Sequence, residues 1–453
     1  LASIRTIVSC AISFDGLPKG KILKIEVNTP EFRYISENSA ECGSDCAFVL
    51  TKQNEKYAED ARSKGAAAFI TPSEAWNLLR LERIKVVGIT GTNGKTTTAS
   101  AIYSLLLDLG HKAAMQGTRG FFMNDAPVEG KTLTTPTVLN TYRHMLEAIG
   151  EGCEYFVMEV SSHAIEQERI AGIGFELKIL TNITQDHLDY HESLEEYVRI
   201  KNLFFADEAR KLINKDEPKA QFNIKNTYTY GVENPATYKI VAYSLNNGVS
   251  GVLKHFEELV TFESSLHGFF NLYNITAAMA AVHLVSGESL EKIAEALENF
   301  GGVSGRMEVV STDPLVIVDF AHTPDGMEQV LGALKEKEVL VVFGAGGDRD
   351  RSKRPLMGRV ASAYAKKLYV TSDNPRFEDP DAIIEDILAG IEDKSNVYVD
   401  VNRRNAIAQA LRERSGDEVV LILGKGDETA QIIYDQHLPF DDRVVARELL
   451  EQR

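Results

Sequence analysis

The sequence predicts an α/β protein of several domains, and three stretches carry that prediction. The run VVGITGTNGKTTTAS (86–100) reads as the end of a buried strand, a glycine-rich turn and the start of a helix. Past residue 305, PLVIVDF, EVLVVFG, KLYVTSD, NVYVDV and EVVLILG read as five short strands. Helices of about ten residues separate most of them, the pattern of a parallel sheet covered on both faces. Ahead of residue 85, KILKIEV, CAFVLT and AAAFIT read as short strands, and YAEDARSKGA as a helix ended by Gly65. A chain of 453 residues exceeds one core and implies two to four domains. The changes of pattern divide it into 1–84, 85–304 and 305–453.

Composition narrows the class. With 44% hydrophobic and 25% charged residues the chain is an ordinary globular one. Its formal charge of -17 leaves no basic surplus for nucleic acid or an anionic membrane surface, so any anionic ligand must meet local arginines and backbone amides. The four cysteines, Cys10, Cys42, Cys46 and Cys153, are scattered, and Cys42-x-x-x-Cys46 lacks a second ligand pair for zinc. Free thiols in a reducing cytoplasm are expected. No apolar run is expected to span a membrane, and LASIRTIVSCAISFDG has no basic segment ahead of a long apolar one.

In chain order, residues 1–84 hold little that is catalytic in type; Ser39 and Asn54 read as solvated loop residues able to hydrogen-bond a ligand. The turn Gly91-Thr92-Asn93-Gly94-Lys95-Thr96-Thr97 is a phosphate cradle. Its amides and the positive helix end attract anionic oxygens, Lys95 can reach outer phosphates, and the Thr96 hydroxyl can ligate magnesium. The usual spacing would place a first glycine where Ile89 stands, so this is a P-loop of a subtype. The helix TTASAIYSLLLDLG should stop at Gly110, and TLTTPTV should be a loop presenting Thr134 and Thr135. YFVMEVSSH is a strand ending in Glu159, a position from which a carboxylate commonly holds magnesium beside a P-loop. Ser161, Gln167 and Arg169 follow on a loop and short helix, where contacts to a polar substrate and a plain surface role are nearly equally favoured.

FELKILTNITQDHLDYH runs from a strand into a loop holding Asp186, His187, Asp189 and His191, which fits a metal site or mutual loop hydrogen bonds equally well. Ser193 and Glu196 form a capping-box pattern, after which Leu194, Tyr197, Phe204 and Phe205 share a helix face with Lys201. Such a lysine snorkels, pairs with an acid, or has a depressed pKa that leaves a nucleophilic amine able to add carbon dioxide. On spacing alone snorkelling is preferred. Residues 210–265 read as a β-rich excursion. HGFFNLYNITAAMAAVHL is an Ala-rich helix on which Asn271 and Asn274 either cap or reach a nucleotide base, capping being the simpler account. In the last third, polar clusters follow the strands: Asp319 and His322, GGDRDRSKRP, DNPRFE and GKGDE. That edge of an open α/β sheet is where ligands bind.

Together GTNGKTT, EVSSH with Gln167 and Arg169, the N-x-x-x-DHLDYH loop, Lys201, Arg306 and FAHTPDGM resemble the Mur ligase family of ATP-dependent amide-bond ligases. The resemblance runs from residue 85 nearly to the end. It implies an α/β protein of three domains: a mixed α/β N-terminal uridine-nucleotide domain, a central P-loop ATPase domain with a parallel sheet, and a C-terminal Rossmann-like doubly wound domain that receives an amino acid. DNPR (373–376), with GGDRD and GKGDE around it, further resembles members that add meso-diaminopimelate to UDP-N-acetylmuramoyl-L-alanyl-D-glutamate in peptidoglycan synthesis. By position, the Gly91–Thr97 loop would bind ATP, with Asn274, Arg306 and Asp319 helping to seat it. Thr96, Glu159, His187 and a carbamylated Lys201 would serve Mg2+, which reverses the snorkelling preference. Ser39, Thr134, Thr135, Ser161, Gln167 and Arg169 would hold the UDP-muramoyl dipeptide. Arg349, Asp373, Asn374, Pro375, Arg376, Gly424 and Glu428 would hold the amino acid. Arg376 is the expected specificity residue, because an arginine fork suits the distal carboxylate that lysine lacks. The resemblance also implies a cytoplasmic monomer. Two positions depart from the family pattern: Asn38-Ser39-Ala40 replaces D-S-R, and Asp427 stands where His is common in G-K-G-H-E. The rival readings are a lysine-adding relative, a folylpolyglutamate synthase, and a P-loop switch protein without ligase chemistry.

Overall fold

The computed structural model describes residues 24–452 apart from 28, 131, 132 and 247. Cys10, the start of KILKIEV and Thr132 of the threonine loop lie outside the described residues. Among the described residues three main sheets follow one another along the chain.

The first has four strands, Ile25–Glu26, Tyr34–Ser36, Cys46–Val49 and Ala68–Ile70, in that order. The helix Ala58–Ser63 ends before Gly65, whose φ of 81° is the left-handed conformation that glycine adopts freely. Phe48, Cys46 and Ala61 form a small core of the unit's own, but the larger part of its apolar surface is shared with the central unit. Ile25, Phe32, Ile35, Trp76 and Leu79 bury into the same cluster as Val86, Tyr142 and Phe156, and Trp76 meets Tyr142 edge to face at 5.6 Å.

The central sheet has eleven strands. Around the P-loop strand Lys85–Thr90 lie Tyr155–Glu159 on one side and Phe175–Leu180 on the other, both parallel to it. The segment read as a β-rich excursion instead extends this sheet: Lys211–Asn214, Thr227–Gly231 and Tyr238–Ser244 add in parallel, then Val249–His255 and Glu258–Ser264 as antiparallel hairpins. On the opposite edge stand Ala113–Gly117, Gly120–Met123 and Ala126–Glu129. The P-loop helix Lys95–Asp108 packs beside Phe269–Ser286, which is apolar all round because it is buried all round. At 18 residues that helix reaches spanning length by composition, an exception to the expectation that no apolar run does. Its place inside the core explains its sequence.

The third sheet orders its strands Glu308–Thr312, Leu315–Asp319, Val419–Leu423, Val339–Phe343, Lys367–Val370 and Val397–Val399. The five strands expected from sequence are parallel, and Glu308–Thr312, which was not expected, adds an antiparallel edge. Alternate residues serve opposite faces. Ile317, Val341 and Leu421 meet Met327, Met357 and Ile384, whereas Val318, Val342 and Ile422 meet Ile407, Ala410 and Val445.

Candidate active site

The P-loop leaves its strand at Gly91 and enters the helix at Gly94, whose φ is 83°. A side chain at Gly94 would collide with the Asn274 amide oxygen, so that glycine is required twice over. Neighbouring chain fixes the loop: Thr92 N donates to Asn182 O (2.9 Å), Asn93 N to Asn182 Oδ1 (2.9 Å), and Thr181 Oγ1 to Asn93 O (2.7 Å). Asn274 does not cap its helix. Its Nδ2 donates to Asn271 Oδ1 (3.0 Å), and its oxygen faces Gly94.

Two lysine amines converge on one carbonyl. Lys95 Nζ donates to Gly91 O and Thr92 O, each at 2.9 Å, and Lys201 Nζ donates to Gly91 O at 2.8 Å. Lys201 is 1% exposed, lies 4.8 Å from the centroid of the Tyr197 ring, and makes no ion pair with a carboxylate among the described residues. Burial, reinforced by the charge of Lys95, pushes its amine well below the ordinary lysine range. Burial also lowers Lys95. Snorkelling, the reading preferred on spacing, is overturned, since a buried amine end cannot be reaching for water. In its helix, Leu194–Leu203, only half the capping box forms: Ser193 Oγ accepts from Glu196 N, while Glu196 pairs with Arg199.

Glu159 ends the strand beside the P-loop and stands opposite Ile89. Its carboxylate accepts from Thr96 Oγ1 (3.0 Å), Thr118 N (2.9 Å) and Thr118 Oγ1 (3.2 Å). One hydroxyl and one carboxylate are hard oxygen donors of the kind magnesium takes alongside substrate phosphates. Among the described residues no group of three His, Cys, Asp or Glu side chains could hold a metal by itself. His187 adopts φ 53°, and its Nε2 lies 3.3 Å from Asp186 Oδ2. Burial lowers its pKa, with Asp186 opposing. Burial would raise Asp186, yet His187, Lys353 and His322 hold it below the usual carboxylate range.

A cavity of about 290 Å³ opens beside the loop. Asn93, Gly94, Thr97, Asn274, Arg306 and Asp319 line it, so six of the residues expected around ATP come together there. The Arg306 guanidinium stacks on Phe320 (4.3 Å), and the Asp319 carboxylate accepts from Met307 N (2.7 Å) and Ala321 N (2.6 Å). Sequence reasoning missed Asp325 here, although FAHTPDGM contains it. Asp325 Oδ2 accepts from Asn93 Nδ2 (2.5 Å) and Thr184 Oγ1 (3.1 Å), and Lys353 approaches Asp186 (3.6 Å). These contacts clasp the third sheet's loops onto the central ones.

Beyond Glu159 lies a connected polar network. Thr135 Oγ1 donates to Glu159 O (2.9 Å) and accepts from Ser161 N (3.0 Å); Ser161 Oγ in turn caps Ala164 N. Gln167 Oε1 accepts from Arg169 and from Gln53 of the first sheet's unit (2.7 Å), and Arg169 Nη1 donates to Thr135 O (3.1 Å). Thr134 joins through Thr118 (3.2 Å). Ser39 does not join: its hydroxyl serves Asp60 within the first unit. The neighbouring Glu37 crosses as Gln53 does, its carboxylate accepting from the Thr137 hydroxyl and Leu139 N. A half-buried acid in a loop carries no sequence signal of that kind.

The remaining expected residues gather at the C-terminal ends of the third sheet's strands. Asn374 Nδ2 donates to Glu428 Oε2 (2.8 Å), and Gly424 leaves room that a side chain would deny to the Asp373 carboxylate. Arg376 holds φ 52° and donates to Gly347 O (2.7 Å), where the missing Cβ also admits Pro375 O. Burial lowers the Arg376 pKa, and nearby Arg349, itself exposed, adds to the shift. Two arginines side by side favour an anion between them. Behind them, Arg403 makes a fully buried fork to Asp442 (2.8 and 2.7 Å) while donating to Leu423 O, and Arg354 is held by Glu378 and Asp386. Gln431 Nε2 donates to Asp373 O (2.7 Å). Neither motif nor periodicity pointed to Arg403, Asp442 or Gln431.

Residues 89–282 match the Mur ligase middle domain, and residues 305–426 the Mur ligase glutamate ligase domain. A UDP-N-acetylmuramoyl-L-alanyl-D-glutamate–2,6-diaminopimelate ligase of Wolinella succinogenes is 53% identical over 421 residues, 93% of this chain and 97% of that relative. The ligase of that name from Helicobacter hepaticus is 55% identical over 90% of each chain. A solved structure of another ligase of that name superposes with a TM-score of 0.66 at 31% identity, covering 92% of this chain and 94% of that one. A folylpolyglutamate synthase of Mycobacterium tuberculosis, solved with ADP and AMPPCP, shares the fold at 17% identity, with a TM-score of 0.64 over 78% of this chain and 91% of that one.

Proposed function

The chain belongs to the Mur ligase family, and from that premise we propose that it is the ATP-dependent ligase joining meso-diaminopimelate to UDP-N-acetylmuramoyl-L-alanyl-D-glutamate. The observation that carries this reading is the amino-acid end of the site: Arg349 and Arg376 adjacent, with Glu428 and Asp373 across the strand ends. A substrate with a carboxylate and an ammonium at its distal end needs both signs. The units 1–84, 85–304 and 305–453 then serve the uridine nucleotide, ATP and the amino acid in turn, in a cytoplasmic monomer.

In the first step an oxygen of the D-glutamate γ-carboxylate bonds to the ATP γ-phosphorus, the bond to the β-phosphate oxygen breaks, and ADP leaves. In the second the diaminopimelate amine attacks the acyl carbon, inorganic phosphate departs, and the amine loses a proton. The P-loop amides and helix end receive the phosphates, and Lys95 turns from Gly91 O and Thr92 O to meet them. Thr96 and Glu159 would hold Mg2+, with His187 and a carbamylated Lys201 serving a further ion. When bound, magnesium supplies charge neutralisation at the transferring phosphoryl group. The neutral Lys201 amine is the form that adds carbon dioxide, losing a proton as the carbamate forms. Thr135, Ser161, Gln167 and Arg169 orient the acceptor, and no protein nucleophile is needed.

Phosphate release measured with meso-diaminopimelate, L-lysine or no amino acid tests the reading. The expected result is turnover with the first alone and a new amide in the product. Better turnover with lysine would remove the role given to Arg376, and turnover on a folate would move the chain to the other branch of the fold.

A further inference from the structure

Lys425, the lysine of GKGDE, has a side chain that is 0% exposed. It follows the strand Val419–Leu423 between Gly424 and Gly426, whose φ values of 112° and 53° turn the chain inward. All three ammonium hydrogens have acceptors: Asn374 Oδ1 at 3.0 Å, Glu428 Oε2 at 2.9 Å and Ala430 O at 2.7 Å. The same Glu428 oxygen accepts from Asn374 Nδ2 (2.8 Å), and Asn374 Oδ1 also accepts from Ile432 N (2.9 Å). Lysine, asparagine and glutamate thus close a triangle. Two of its corners, Asn374 and Glu428, belong to the proposed amino-acid site, and the third is sealed behind them.

We infer that Lys425 is the positioning residue of the amino-acid site. Its charge fixes which way round the Asn374 amide stands, because an ammonium accepts nothing and can face only the oxygen. It also anchors the Glu428 carboxylate, whose side chain is 31% exposed while the lysine's is 0% exposed. Receptors held rigid before the ligand arrives bind it without an ordering cost. This inference deepens the proposed function and rests on it.

The test uses the full-length enzyme with Lys425→Met and Lys425→Gln, alone and combined with Glu428→Gln. Steady-state KM is measured for the amino acid, ATP and the UDP-muramoyl dipeptide. K425M is expected to raise the amino-acid KM at least tenfold, with the other two KM values within threefold of wild type. K425Q, which can still donate to Asn374, should give a smaller rise and provides the reading if K425M does not fold. In the E428Q background K425M should add clearly less than it does alone, because the part of its effect that runs through that carboxylate is already lost and only the part through Asn374 remains. An amino-acid KM within twofold of wild type in both single variants would overturn the inference. So would an equal rise in all three KM values, or full multiplication of the effects in the double variant. Wild-type turnover of meso-diaminopimelate in the same assay judges the functional reading separately, and the variant ratios are taken on whichever amino acid the wild type uses.

Discussion

At the phosphate loop, two lysines share the carbonyl of Gly91 and neither makes an ion pair with a carboxylate among the described residues, whereas at the amino-acid end the buried cations come with their acids. Arg403 has Asp442, Arg354 has Glu378 and Asp386, and Lys425 has Glu428. The phosphate end is electrostatically unfinished, and in the proposed reaction anions brought by ATP and a carbamate would complete it. The amino-acid end is finished apart from Arg349 and Arg376, whose partner in the proposed reaction would be the substrate's distal carboxylate. Charge left open thus marks where ligand anions go, and charge closed marks the frame that holds the receptors still.

Breaking the open end should have the largest effect. Lys201→Ala is expected to lower kcat by on the order of 10²–10³, the scale of losing a preorganised electrostatic group, with the protein still folded. Formate or bicarbonate entering the vacated space should restore part of the rate; full activity without rescue would show that no anion is needed there. Breaking the closed end should instead cost stability. Asp442→Asn leaves Arg403 buried without its counter-charge, worth about 3–5 kcal/mol in urea unfolding. An unchanged unfolding midpoint would mean that the pair contributes nothing to the frame.

Arg376→Met sharpens the contrast on the substrate itself. Losing a charge-assisted contact worth about 1.5–3 kcal/mol should raise the meso-diaminopimelate KM by roughly 10–150-fold while leaving any residual L-lysine turnover unaltered. Parallel losses on both amino acids would assign Arg376 to the frame. The smallest effect is expected from Asp325→Ala, which removes the clasp between the two ends. With hydrogen bonds worth about 1 kcal/mol each, kcat/KM should fall several-fold, and amide exchange near Thr184 should quicken.

The open end was the legible one. Gly91, Gly94, Lys95 and Thr96 lie within six consecutive residues because a turn between strand and helix is local, and Glu159 shows itself as an acid closing an apolar strand. Leu315–Asp319, Val339–Phe343 and Val419–Leu423 were readable because burial on both faces leaves nearly unbroken runs of valine, isoleucine and leucine. What escaped was long-range. Residues 210–265 gave no hint that they continue the P-loop sheet, since edge pairing depends on partners far along the chain. Lys201 illustrates the limit most sharply: helical spacing put it on the core face, but only packing shows that its amine ends under Gly91 O rather than in water. Arg403 and Asp442, 39 residues apart, each look like surface charge until the fold brings them together.

The shared core beneath Trp76 and Tyr142 bears on how such a chain could be recombined. A crossover joining a foreign first unit at residue 84 would have to carry matching replacements for Tyr142, Phe156 and Val86, or leave a hole at the seam. The third sheet fills both its faces largely from its own helices, so a crossover near residue 304 disturbs far less. Chimeras made at the later junction should therefore be the ones that fold, and the amino-acid end the part of the molecule most readily exchanged as a cassette.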